Sequence, residues 1–244
     1  FWRVRSKTGD LWSPYSGFTG FTVVSNGFNY TFDTLPKNML AVYGEWFRVD
    51  PGYLKTKGET YQYASAIQQE WFEDVFVYEV TMKRKVENNS ETNSNRMYFL
   101  GNVAGDVADG WDNGYEFFYY DDGYWYLNVR NADSVTSIAS GVSPHINPYG
   151  WNKLTVLTDY PWMDFWINEQ YLGFSYVGDD AVKYTQGYVG VGGHKGIAKT
   201  SLLVDKARLY YSGGFPYSAA LSVDGTRDPA YELTVDPALT EPRE

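Results

Sequence analysis

Apolar and polar positions alternate one by one along much of this chain. In Phe76–Lys83, Phe76, Tyr78, Val80 and Met82 fall on one side and Val77, Glu79, Thr81 and Lys83 on the other. That period of two is the mark of a half-buried strand. Lys153–Thr158 repeats it. Arg96–Gly101, Tyr160–Ile167, Tyr171–Tyr176, Gly187–Gly192 and Ser201–Tyr211 are further strand candidates. No window holds apolar residues at i, i+3, i+4 and i+7 over three turns, so no helix is expected. Gly, Asn, Asp and Pro clusters punctuate the strands. The pattern predicts an all-β chain, an antiparallel two-sheet β-sandwich. At 244 residues a single sandwich domain, 1–244, accounts for the length. Residues 1–35 would add N-terminal strands, 36–212 the sandwich body, and 213–244 a Pro-containing extension with one short strand at Tyr231–Val235. Glu87–Asn95, ENNSETNSN, reads as a surface loop.

The densest local signal is GYEFFYYDDGYWYLNV, Gly114–Val129, where eight of sixteen residues are aromatic. A two-residue turn at Asp122-Gly123 pairs Tyr120 with Trp125 and Tyr119 with Tyr126. One face then holds Phe118, Tyr120, Trp125, Leu127 and Val129, with Glu116 at its end, and is expected in the core. The other holds Tyr115, Phe117, Tyr119, Asp121, Tyr124, Tyr126, Asn128 and Arg130 and is expected outside. Tyrosine joins a flat apolar face to a polar tip, which suits a sugar ring or a protein partner. Solvent-facing tyrosines also stabilise hairpins with no ligand at all. A register change of one residue would exchange the faces. The candidate ligand-binding residues are Trp111, Tyr115, Tyr119, Tyr124, Tyr126, Asn128 and Arg130.

Charge narrows the partners. A formal net charge of −10 argues against nucleic acid and against an anionic membrane surface, and leaves neutral glycans open. The chain has no cysteine, which removes disulfides, thiolate metal sites and a Cys nucleophile. No apolar run reaches the ~18 residues of a transmembrane helix. The chain starts at Phe1-Trp2-Arg3 without Met, as expected of a processed piece of a longer protein.

Other chemistry is sparse. GDVADGWDNG, Gly105–Gly114, crowds Asp106, Asp109, Asp112 and Asn113 among glycines. Calcium takes its oxygens from such loops, and a solvated acidic loop is the competing reading. His145 and His194 are the only histidines, and no G-x-S-x-G elbow accompanies them. GYVGVGGHKG, Gly187–Gly196, misses the G-x-G-x-x-G spacing of a phosphate loop.

The order of segments resembles concanavalin A-like jelly-roll modules. EWFRVDPGYLKTKGET (Glu45–Thr60) is similar to their opening, and DVFVYEVTMKRK (Asp74–Lys85) to the following outer strand. RMYFLGN (Arg96–Asn102) with YEFFYYDDGYWYLNV resembles the paired central strands. WNKLTVLTDYPWMDFWINEQYLGFSY (Trp151–Tyr176) resembles the next hairpin, and GYVGVGGHKGIAKTSLLVDKARLYY (Gly187–Tyr211) the closing pair. Trp151, Asn168 and Asp205 match positions that build the fold. The group spans laminin-G-like domains, legume-type lectins, bacterial carbohydrate-binding modules and sugar-hydrolase-like domains often called DUF1080. The resemblance implies two curved antiparallel sheets, frequent carbohydrate binding and a common structural calcium. Relatives that cut glucans carry Glu-x-Asp-x-x-Glu on one strand. Glu70, Glu73, Asp74 and Glu79 do not fit that spacing, so the paired carboxylates of a glycosidase are not supported. The expectation is a non-catalytic, lectin-like, polysaccharide-binding module. It would be extracellular or on a bacterial cell surface, within a larger chain. The alternatives are a glycosidase of the same fold and an adhesive or structural surface domain.

Overall fold

The computed structural model describes residues 7–8, 11–12, 27–56, 63–73, 75–86, 93–104, 109–132, 134–159, 161–177, 184–194 and 200–211. The strand expected at Tyr231–Val235, the extension 213–244, most of 1–35 and Asp106 lie outside the described residues. In chain order the strands are β1 (Lys7–Thr8), β2 (Leu11–Trp12), β3 (Phe28–Tyr30), β4 (Met39–Tyr43), β5 (Trp46–Val49) and β6 (Tyr53–Thr56). Next come β7 (Tyr63–Gln68), β8 (Phe72–Glu73), β9 (Phe76–Val86), β10 (Ser94–Val103), β11 (Trp111–Tyr120) and β12 (Tyr124–Asn131). The rest are β13 (Ser134–Val142), β14 (Asn152–Asp159), β15 (Trp162–Ile167), β16 (Gln170–Tyr176), β17 (Gln186–His194) and β18 (Thr200–Tyr211). Among the described residues no helix is long and apolar enough to cross a membrane.

Two eight-stranded antiparallel sheets face each other. Sheet one runs β13-β12-β11-β10-β17-β7-β4, with β8 on β17; sheet two runs β16-β15-β14-β9-β18-β6-β5, with β3 on β18. Alternation supplies each sheet with one apolar face. Sheet two contributes Phe76, Tyr78, Val80, Met82, Leu154, Val156, Phe165 and Ile167 to the core, and sheet one Met97, Phe99, Tyr115, Phe117, Tyr119, Trp125, Leu127 and Val191. Rings interdigitate across the gap: Phe165 lies 5.7 Å from Phe117 and 5.3 Å from Trp125. Two phenols tie the layers by hydrogen bonds. Tyr119 donates to the Met82 carbonyl at 3.2 Å, and Tyr78 to the Gly190 carbonyl at 3.1 Å. Burial pushes both phenols well up from their ordinary pKa, so they remain donors.

The hairpin of β15 and β16 turns at Asn168 and Glu169, both left-handed with φ of 51° and 67°, as a two-residue hairpin turn requires. Asn168 also anchors the preceding loop. Its amide donates to the His145 carbonyl at 2.6 Å and to Asn152 Oδ1 at 2.8 Å. One expectation fails at the far end of ENNSETNSN. Ser94 and Asn95 are fully buried at the start of β10, and Asn93 beside them is 1% exposed. Asn93 and Asn95 donate to Asp121 of the hairpin turn, and the Ser94 hydroxyl accepts from Arg96 Nε at 2.8 Å.

In β17, glycine is needed for space. A Cβ on Gly190 would sit 2.4 Å from the Ala66 carbonyl oxygen and 2.5 Å from Trp111 Cζ2. Backbone cannot yield cheaply, so Gly190→Ala is expected to destabilise the fold by about 1–3 kcal/mol. A shift in the urea midpoint with an unchanged slope would show this.

Candidate functional site

The aromatic hairpin sets the site, and its register differs by one residue from the two-residue turn. Tyr119 pairs with Trp125, Phe118 with Tyr126 and Phe117 with Leu127. The loop therefore has three residues, Asp121-Asp122-Gly123. Gly123 N–H donates to the Tyr120 carbonyl at 3.1 Å, and Gly123 takes φ of 94°. This is a type I turn closed by a left-handed glycine. The extra loop residue reverses β11 relative to β12. Tyr115, Phe117 and Tyr119 thus point into the core, each at most 1% exposed. Phe118 and Tyr120, expected inside, face outward, and Glu116 with them. On β12 Trp125, Leu127 and Val129 point inward, while Tyr124, Tyr126, Asn128 and Arg130 lie on the outer face. Tyr115 and Tyr119 are thereby removed from the surface candidates. The sequence carried a signal for this register: it gives a core set free of charge, whereas the two-residue turn placed Glu116 inside.

The outer face of sheet one reads in rows. Ser140, Tyr126, Phe118 and Arg96 form one, and Ser137, Asn128, Glu116 and Tyr98 the next. Phe118 and Tyr126 stack at 5.3 Å with planes 17° apart, and Tyr120 stands edge-on to both at 5.4 and 5.8 Å. The Arg96 guanidinium lies 4.5 Å over Phe118. Tyr124, at the turn, is 47% exposed.

Beside the rings is a buried charge network that sequence reasoning missed as a unit. Glu116 accepts from Arg96 at 2.8 Å, Arg130 at 3.2 Å and Asn128 at 2.8 Å. Arg130 also pairs with Asp109 at 2.5 Å. Nearby charges hold the Arg96 and Arg130 guanidiniums up despite burial, with Glu116 the largest favourable contributor to each. Asn128 Oδ1 and Arg130 Nε, both buried, have no hydrogen-bond partner among the described residues.

The β17 side of this face is closed. Trp111, a ligand-binding candidate in the sequence, is 1% exposed and stacks on Tyr98 at 4.6 Å and 9°. The two rings lie in the space left by Gly190 and Gly192. Asp109 follows Trp111 into this layer. Its carboxylate accepts from Tyr98 Oη and Trp111 N–H, both at 3.2 Å, in addition to Arg130. Asp109 is thus already neutralised by a guanidinium, and Asp106 lies outside the described residues. Asp112 and Asn113 contact each other, and Asn113 Oδ1 accepts from the Asn102 N–H at 3.0 Å. Among the described residues no group of three or more His, Asp or Glu side chains is placed to hold a metal.

No family model matches the chain, and no curated protein matches it in sequence. Solved structures match it in fold. CBM66, a carbohydrate-binding module from Bacillus subtilis, superposes with a TM-score of 0.56 at 11% identity over 71% of this chain and 95% of that one. The exoplasmic/lumenal domain of VIP36, in a Ca2+/Man2-bound form, gives 0.59 at 13% identity over 77% and 88%. A Bacillus licheniformis β-glucanase gives 0.55 at 10% identity over 76% and 98%. All are concanavalin-like jelly-roll sandwiches, and that is the fold of this chain. At such identities the likeness establishes the fold alone.

The turn itself titrates. Burial raises the Asp121 carboxyl, opposed by hydrogen bonds from Asn93 and Asn95 and by the charge of Arg84. A carboxyl raised on folding contributes most below its unfolded pKa and loses that contribution as pH rises through the folded one. Wild type is therefore expected to gain stability relative to Asp121→Asn as pH falls from neutrality through the carboxylate range. Urea midpoints of both proteins along that range measure it.

Proposed function

We propose that the chain is a non-catalytic carbohydrate-binding, lectin-like module that takes a glycan on the outer face of sheet one. The observation that carries this reading is the outward-facing phenols of Tyr120 and Tyr126, packed over the buried Phe118, with Tyr124 exposed at the turn beside them. Rings offer stacking surface for sugar C–H faces. A sugar hydroxyl is both donor and acceptor, as is a phenol tip, so the exposed tyrosines can pair with it as well as stack on it. The binding set is Tyr120, Tyr124, Tyr126, Asn128 and Arg130. The carbohydrate-binding module and lectin domains among the fold neighbours support the same class of ligand. They also support an extracellular or surface role.

A glycosidase reading has one observation to consider. Asp109 and Glu116 both touch Arg130 Nη1, at 2.5 and 3.2 Å, which keeps the carboxylates within about 6 Å of each other, near the retaining-enzyme separation. Each, however, is almost fully buried and bound to arginine. Neither is free to act as acid or nucleophile, and the β-glucanase likeness extends to the fold. Of the calcium set Asp106, Asp109, Asp112 and Asn113, Asp109 is committed to Arg130, while a lectin neighbour in a Ca2+/Man2-bound form supports a metal in this class of fold.

Tyr126→Ala is expected to lower retention on an immobilised polysaccharide about tenfold, the equivalent of ~1.4 kcal/mol, with little change in melting midpoint. Tyr119→Ala is expected to cost about 3–5 kcal/mol of stability, as core truncation does. Affinity electrophoresis and thermal melts of both variants check the pair. Unchanged retention by Tyr126→Ala would remove the site.

A further inference from the structure

A second set of rings is used neither by the core nor by the site on sheet one. On the hairpin of β15 and β16, Met163, Phe165 and Ile167 are buried in the core. The opposite face carries three cross-strand rungs: Trp162 with Tyr176, Asp164 with Phe174, and Trp166 with Tyr171. Trp162 is 43% exposed, Tyr171 48%, Phe174 62% and Tyr176 44%. A contiguous patch of this kind marks an interaction surface.

Its composition and charge select the partner. No aliphatic side chain is exposed on the hairpin, for Leu172 packs against the core. Three phenyl or indole rings run in a row, Phe174 to Trp162 at 5.3 Å and Trp162 to Tyr176 at 4.7 Å, with planes inclined 65° and 55°. Such a row suits a chain of sugars turned relative to one another better than a flat ribbon. Apart from tyrosine, the ionisable groups on this face of the hairpin are Asp164, which accepts the Tyr171 hydroxyl at 2.8 Å, and Glu169 at the turn, which is paired with Lys153 at 3.0 Å. The chain as a whole carries −10. A second copy or an anionic polymer would meet like charge, whereas a neutral polyhydroxylated chain would not. Carboxylate, phenol tips and ring faces together match that ligand.

We propose that the outer face of the β15–β16 hairpin is a second surface for a neutral polysaccharide, on the opposite sheet from the first. The inference rests on the reading of the protein as a glycan binder. Two sites on opposite sheets would let one molecule bridge two glycan chains and gain retention on an insoluble polymer by multivalency.

The test is retention of the whole chain on immobilised β-1,4-glucan, β-1,3-glucan, α-mannan and levan. Four proteins are compared: wild type, Trp162→Ala/Phe174→Ser, Tyr124→Ala/Tyr126→Ala, and the combination. Thermal melts confirm that each is folded. On a polymer that retains wild type, each double variant is expected to lose about tenfold, and the combination all retention. Wild-type retention by Trp162→Ala/Phe174→Ser overturns the second surface and leaves the first intact. Loss confined to Trp162→Ala/Phe174→Ser keeps the second surface and removes the first. If that variant instead changes the sedimentation coefficient of the glycan-free protein, the patch is a self-association face and the proposal falls. No retention of wild type on any of the four polymers overturns both sites.

Discussion

The register of one hairpin governs much of this molecule. With three residues in the loop, Tyr115, Phe117 and Tyr119 go inward and Glu116, Phe118 and Tyr120 outward. The core gains a row of rings that meets Phe165 from the other sheet, and Tyr119 reaches the Met82 carbonyl. The outer face gains the Phe118–Tyr120–Tyr126 cluster and the carboxylate of Glu116. Shifting the pairing by one would bury that carboxylate among apolar rings and expose the phenols, losing on both faces at once. Gly123 is the residue that permits the loop, and the Asn93, Asn95 and Asp121 contacts fasten it to β10.

The charge network follows from that register. Glu116, placed outward, is almost completely covered, and such a carboxylate requires partners. Arg96, Arg130 and Asn128 supply them from the two neighbouring strands. Arg130 extends the network to Asp109, which holds Trp111 and Tyr98 flat over Gly190 and Gly192. Ion pairs of this kind add little net stability when compared with an apolar substitute, yet removing one partner is costly. Their consequence here is geometric. They fix a polar floor beside the cluster of Phe118, Tyr120 and Tyr126.

Much of the fold was legible in the residues. The period-two runs at Phe76 and Lys153 became the central strands β9 and β14, because packing between two sheets favours alternation, and the strand candidate Ser201–Tyr211 became β18, which carries a bulge at Val204–Lys206. Boundaries near polar residues were less legible. Asn93 and Asn95 look like loop, and are buried through bonds to a turn distant in sequence. The site was half legible. Tyr124, Tyr126, Asn128 and Arg130 were placed outward by alternation from the turn, whereas Tyr115 and Tyr119 were misplaced because Asp122-Gly123 hid a three-residue loop. Trp111 and Asp109 could not be read locally, since their environment is made by Tyr98 and Arg130 on other strands. The rings of β15 and β16 showed as strand formers, and their surplus became visible only once the core was seen to be filled by the other face.

Hydroxyl-radical footprinting of the tyrosines, with and without a polysaccharide that retains the protein, tests the central claim most directly. The account predicts that Tyr120, Tyr124 and Tyr126 are oxidised in the free protein and protected by the glycan, while Tyr115 and Tyr119 stay unmodified in both states. Oxidation of Tyr119 in the folded free protein would contradict the register, and unchanged labelling of Tyr124 and Tyr126 on glycan binding would contradict the site.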